Sequence, residues 1–194
     1  MKSKATLATL LFLFGILHSA HSAQPLSTAQ SIEVRATPCQ VWALLVNADK
    51  WSEWNPAVQS SKLVKGDGHT VGSKIRFTPV IGDKKSPLPI TLTLHEYSKP
   101  EKLEYKAGMS GMHITFGFTI EAAKPCSHCR QNNPEPCPCK SEPQTLKVTS
   151  YETISGAGSG LFKVFFSQEG LDKEHQTWVQ AIKKQLEPTD DREE

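Results

Sequence analysis

TPCQVWALLVNADKWSEWNP, residues 37–56, follows directly on the alternating stretch SIEVRA, Ser31 to Ala36. Thr37 before Pro38 suits an N-cap with proline at the first helical position. Val41, Trp42, Leu44 and Leu45 then form an apolar stripe that predicts a helix ending near Asn47. A second short turn carries Trp51 and Trp54, which anchor it, and stops at Pro56. In SIEVRA, Ile32 and Val34 share one face and Glu33 and Arg35 the other, as in a half-buried strand. The chain therefore opens as strand, short helix, short helix.

Beyond the glycine-rich loop GDGHTVGS, alternation returns in four segments. KIRFTPV puts Ile75 and Phe77 on one face, and PITLTLHEY does the same with Ile90, Leu92 and Leu94. KLEYKAGM aligns Leu103, Tyr105, Ala107 and Met109, and HITFGFTIEA aligns Ile114, Phe116, Phe118 and Ile120. TLKVTSYETI resumes the pattern with Leu146 and Val148, and turns such as SKPEK predict antiparallel neighbours. Last come SGAGSG and a long helical stretch to Pro188, in which Leu171, His175, Trp178, Ile182 and Leu186 recur at helical spacing. Gly170 interrupts that stripe, which sets LFKVFF apart as a separate turn. The plan is α+β. A sheet with one apolar face has a single long amphipathic element to cover it, so the sheet is expected to curl around the last helix. The two short helices close only one end of that trough, which leaves interior space.

The N-terminus reads as an export signal. Lys2 and Lys4 precede the apolar run Leu7–Leu17, and small residues follow in HSAHSAQP, so residues 1–22 are expected to be a signal peptide cleaved after Ser22, with Ala23 the near alternative. About eleven apolar residues fall short of the roughly twenty that span a bilayer, so an uncleaved membrane anchor is the lesser alternative. The expected organisation is a linker at 23–30, one domain at 31–187 and a disordered acidic tail at 188–194. A periplasmic or secreted monomer follows. Lys and Arg number 22 against 20 Asp and Glu, with no clustered basic run, which excludes a nucleic-acid surface.

Four of the five cysteines crowd into CSHCRQNNPEPCPCK, an insertion at 124–143 between two strands. Cys126, Cys129, Cys137 and Cys139 have the spacing of a tetrahedral zinc site, while an oxidising compartment favours disulfides, for which three pairings exist. Two disulfides, a structural zinc or free thiols all remain open, and no other cofactor is expected. Catalysis by this loop is not expected. Cys39 reads as a buried thiol. SGAGSG lacks the endings of a phosphate-binding loop, and HEYSK lacks a second histidine for a zinc-protease motif. One polar pair stands out: His175 lies on the helix stripe and Glu152 falls in phase with Leu146 and Val148. Facing each other, they could orient a ligand hydroxyl or serve as acid and base. The plainer reading is a rim histidine bonded to a carbonyl or to water, since nothing else completes a catalytic set.

The stretch 37–56, with its V-W-x-L-L and W-x-x-W-N-P elements, together with VGSKIRF and SGAGSG, resembles the START-like (SRPBCC) superfamily, which includes the polyketide cyclase/dehydrase group and the birch-pollen-allergen type. The resemblance runs from Ser31 to about Leu186, and the family pattern lacks the cysteine-rich insertion. It implies a helix-grip fold with a deep cavity for lipids, sterols, polyketides or other apolar small molecules, and it supplies no universal catalytic motif. On this footing Phe77, Leu92, Tyr105, Phe116, Phe118, His175 and Trp178 are the expected pocket residues. The leading expectation is an exported, non-enzymatic holder of an apolar small molecule without stable membrane insertion. The alternative is a cyclase- or hydrolase-type enzyme using His175 and Glu152. A third reading makes the cysteine loop an interaction or metal-sensing module on an inert fold.

Overall fold

The computed structural model describes residues 24–81, 84–85, 89–109, 111–123, 142–159, 163 and 167–187. The segment expected as a leader, the four clustered cysteines, the turn expected in LFKVFF and the acidic tail lie outside the described residues. Strand β1 spans Leu26–Ala36, so it begins ahead of Ser31 and absorbs most of the segment expected as a linker. Its early inward positions are Leu26 and Thr28, both buried, and the polar Thr28 hides the alternation. Helix α1 (Pro38–Val46) starts in a capping box: Thr37 Oγ1 accepts the Gln40 N–H at 3.2 Å, and the Thr37 N–H donates to Gln40 Oε1 at 2.8 Å. A 3₁₀ turn (Ala48–Lys50) leads into α2 (Trp51–Trp54).

Seven further strands follow: β2 (Val58–Lys65), β3 (Lys74–Ile81), the two-residue β4 (Lys84–Lys85), β5 (Ile90–Ser98), β6 (Lys102–Met109), β7 (Met112–Ala122) and β8 (Gln144–Ser155). All pairings are antiparallel, in the order β1-β8-β7-β6-β5-β3-β2, with β4 beside β3. The inward positions are those that the alternation predicts, except that Met109 is exposed. On the opposite face Gly117 leaves room for the Tyr151 ring, whose phenol donates to Glu104 at 2.9 Å; a Cβ on Gly117 would meet that oxygen at 2.6 Å.

The last helix, α3 (Gln168–Leu186), packs against β1, β8, β3 and α1, the helix-grip arrangement. Ser167 caps it, accepting the Gly170 N–H at 3.0 Å. Gly170 therefore sits in the first turn and does not interrupt the stripe. Three polar contacts fasten α3 to β1: Gln168 Nε2 donates to the Ser27 carbonyl (2.9 Å), Lys183 Nζ to the Glu33 carbonyl (3.1 Å), and the Arg35 N–H to the Glu187 carboxylate. No helix among the described residues is long and apolar enough to cross a membrane.

The core centres on Trp51, expected as an anchor for its own short helix and as one of several aromatics that could wall a pocket or fill the core. It is fully buried, and its ring meets those of Trp178, Tyr105, Phe77, Phe116 and Phe118 at centroid distances of 5.2 to 6.4 Å. Its indole N–H donates to the Leu45 carbonyl at 2.9 Å, tying α2 to the end of α1. Cys39 is half-buried near the start of α1 and is disulfide-bonded, which corrects the expectation of a thiol there. Thiol counting on denatured, unreduced protein is accordingly expected to find at least two of the five cysteines blocked. Five reactive thiols would remove that bond.

Candidate functional site

β8 pairs with β1 on one side and β7 on the other without a register shift, so every second residue from Leu146 to Ile154 points inward. Ser150 and Glu152 thereby face α3, which presents Glu174 and His175 at their level. His175 is fully buried, with its Nδ1 2.8 Å from Ser150 Oγ and its Nε2 3.0 Å from Glu152 Oε2. A carboxylate only accepts, so Nε2–H donates to Glu152; in the neutral ring Nδ1 then accepts from the Ser150 hydroxyl. Both ring nitrogens are engaged, and the imidazole orients Glu152 from behind.

Glu174 is buried beside this relay, and its Oε2 has no hydrogen-bond partner among the described residues. Burial and, next, the charge of Glu152 push its carboxyl well above the usual carboxylate range. The two carboxyls line one cavity with Phe77, Pro79, Ile90, Leu92, Ile114 and Phe116. Its volume is about 10 Å³, room for one water molecule. The deep hollow expected between sheet and helix is thus a narrow one here, because the aromatic rings around Trp51 occupy the trough.

Of the expected pocket residues, Phe77, Leu92 and Phe116 line this cavity. Tyr105, Phe118 and Trp178 belong to the aromatic cluster instead, and His175 stands behind Glu152. The Tyr105 hydroxyl and the Trp178 indole N–H are buried with no hydrogen-bond partner among the described residues. His175 and Glu152 do meet, as the helix and strand phases predict, and the rim reading of His175 gives way to full burial. Ser150 and Glu174 were absent from the expected set. Each carries a periodic signal: Ser150 is two residues before Glu152 on one strand face, and Glu174 is three after Leu171 and four before Trp178. Among the described residues no group of three or more His, Cys, Asp or Glu is placed to hold a metal.

Residues 25–131 match the family model for polyketide cyclase / dehydrase and lipid transport. No curated protein matches the chain. Among solved structures, major latex-like protein 151 from Panax ginseng superposes with a TM-score of 0.62 at 10% identity, covering 84% of this chain and 99% of that one. The di-domain ARO/CYC BexL of the BE-7585A biosynthetic pathway gives 0.59 at 15% identity over 84% of this chain, which spans 50% of BexL. A START superfamily protein from Mycobacterium smegmatis gives 0.56 at 9% identity, covering 83% and 97%. At such identities the likeness is one of fold: a curled antiparallel sheet holding a C-terminal helix. With that fold, and with a family match running from β1 past the end of β7, the chain belongs to the polyketide cyclase / dehydrase and lipid transport family, within the START-like superfamily.

Proposed function

We propose that this chain is an exported, monomeric binding protein that holds an apolar small molecule, lipid-, sterol- or polyketide-like, between the sheet and α3. One observation carries the reading: a buried carboxyl, Glu174, leaves an oxygen unpartnered at a cavity that is otherwise apolar apart from Glu152. An unpaired buried polar group costs about 1–3 kcal/mol, and a ligand's polar end would supply the missing partner. The family description supports the class of guest, and the leader sequence supports export. A guest larger than water enters by displacing Ile90, Phe77 and Phe116, which wall the cavity.

Binding of the neutral dye Nile red, followed by fluorescence, tests this. Ile114→Phe, which fills the cavity, is expected to weaken binding at least tenfold, while Lys184→Ala on the exposed side of α3 leaves it unchanged. Equal effects of the two substitutions would remove the pocket. Native mass spectrometry of protein isolated from its own host would identify a co-purifying molecule.

The relay Ser150–His175–Glu152 favours a second reading, a cyclase- or hydrolase-type enzyme in which Glu152, oriented by His175, takes a proton while Glu174 donates one. Its signature is turnover lost in His175→Ala with binding retained.

A further inference from the structure

We infer that the ligand presents a protonated amine to the Glu152–Glu174 cavity. This rests on the binding reading above and narrows it to cationic amphiphiles, apolar molecules ending in an ammonium group. The polar lining of the cavity consists of two carboxyls and nothing else. No lysine or arginine is buried among the described residues. His175 gives both ring nitrogens to Ser150 and Glu152 and has none left for a guest. The cavity therefore offers carboxyl oxygens and, while Glu174 keeps its proton, a single O–H; the oxygen without a partner is Glu174 Oε2. An ammonium brings three donors and a charge. Phe77 and Phe116, nearly parallel at 16° with centroids 6.0 Å apart, add aromatic walls that suit a cation.

The charge balance is simple. The neutral Glu174 carboxyl loses its proton to solvent as the ammonium arrives, and a carboxylate–ammonium pair replaces the O–H group. The cavity exchanges one cation for another, so its net charge is unchanged. The groups that face Glu174 leave this exchange to it. Glu152 comes from β8, His175 adjoins Glu174 on α3 and is bonded to Glu152, and the Trp178 indole N–H one turn on favours the ionised carboxyl, more weakly than burial and Glu152 oppose it. The cavity-lining residues of β3, β5 and β7 carry no charge. Tyr105 of β6 stacks on Phe116 at 6.3 Å, and burial keeps its phenol protonated.

Calorimetric titration of the whole protein with n-hexylamine and with 1-hexanol, between pH 5.5 and 8.5 in two buffers of different ionisation enthalpy, tests the assignment. The amine is expected to bind at least tenfold more tightly than the alcohol at the upper pH. Below the titration of Glu174 its affinity should rise about tenfold per pH unit, with close to one proton released per amine bound. Glu174→Gln should abolish the proton release and bring the amine down to the alcohol's affinity, with its fold checked by circular dichroism. Equal binding of amine and alcohol, amine binding without proton release, or a preference that survives Glu174→Gln overturns the proposal. Should Glu174→Gln fail to fold, the proton count on the unaltered protein decides. Nile red separates this from the reading beneath it: if the dye binds and hexylamine neither binds nor displaces it, apolar binding stands and the amine assignment falls. If the dye does not bind either, both fall.

Discussion

Replacing Glu174 by glutamine is expected to make the protein more stable, and increasingly so as the pH rises. In the unfolded chain this carboxyl titrates near its ordinary value of 4.5, whereas in the fold burial and Glu152 hold its proton on to much higher pH. Between those two values the folded state binds more protons than the unfolded one. Stability there falls as pH rises, by about 1.4 kcal/mol per pH unit from this group alone. Below the unfolded value both states are protonated and the penalty is gone. Glutamine has no proton to lose, so its advantage should be smallest near pH 4 and widen upward with that slope until the folded carboxyl itself titrates. Urea midpoints of the two proteins at pH 4, 5, 6 and 7 measure it. A difference that stays constant with pH would show that Glu174 is not held protonated, and the acid–base reading of the site would lose its acid.

Trp51→Ala is expected to cost about 3–5 kcal/mol, the range for deleting a large buried aromatic. Trp51 is fully buried, touches five other aromatic rings, and its indole N–H satisfies the Leu45 carbonyl. A domain of this size has roughly 5–15 kcal/mol of stability in all, so the variant would sit close to unfolding. Trp51→Phe keeps a ring in place but leaves the carbonyl without its donor, a loss of about 1–3 kcal/mol. Trp54, half-buried at the other end of the same short helix, should matter less. Denaturant melts of Trp51→Ala, Trp51→Phe and Trp54→Ala would rank them, and a Trp51→Ala loss under about 1 kcal/mol would show that the rings do not pack as a unit.

The strands that stand out most clearly in the sequence are those whose inward positions are mostly large and apolar. β3, β5, β6 and β7 declare themselves through Phe77, Leu92, Leu103 and Phe118. β2 escapes because VQSSKLVK is an edge strand, wet over most of its length, so no period of two survives in its hydropathy. The start of β1 escapes because Thr28 is the inward residue there. The α1 boundary was legible because Thr37 and Pro38 each have a specific use in starting a helix, and Gln40, which completes the capping box, came only with the structure. Half of the site was legible for a similar reason, since strand and helix phase bring Glu152 and His175 to one face. Glu174 was not, because a glutamate on a helix is normally solvated and only burial in the assembled fold makes it unusual. The size of the hollow was beyond the sequence altogether. The same aromatic residues serve as the walls of an empty trough or as its filling, and the position of Trp51, delivered by a helix of one turn, decides between the two.

The seam between β1 and β8 joins the beginning of the chain to its end: Ser27 and Thr153, hydrogen-bonded through their hydroxyls, are 126 positions apart. β1 has no other partner in the sheet. During synthesis the first strand must therefore wait, without a neighbour, until the last strand and helix have left the ribosome. Contacts of such long range make for slow assembly. The strands β2 to β7 can pair as neighbours in sequence, but the sheet gains its first strand, and the helix its seat, only after the final segment has arrived.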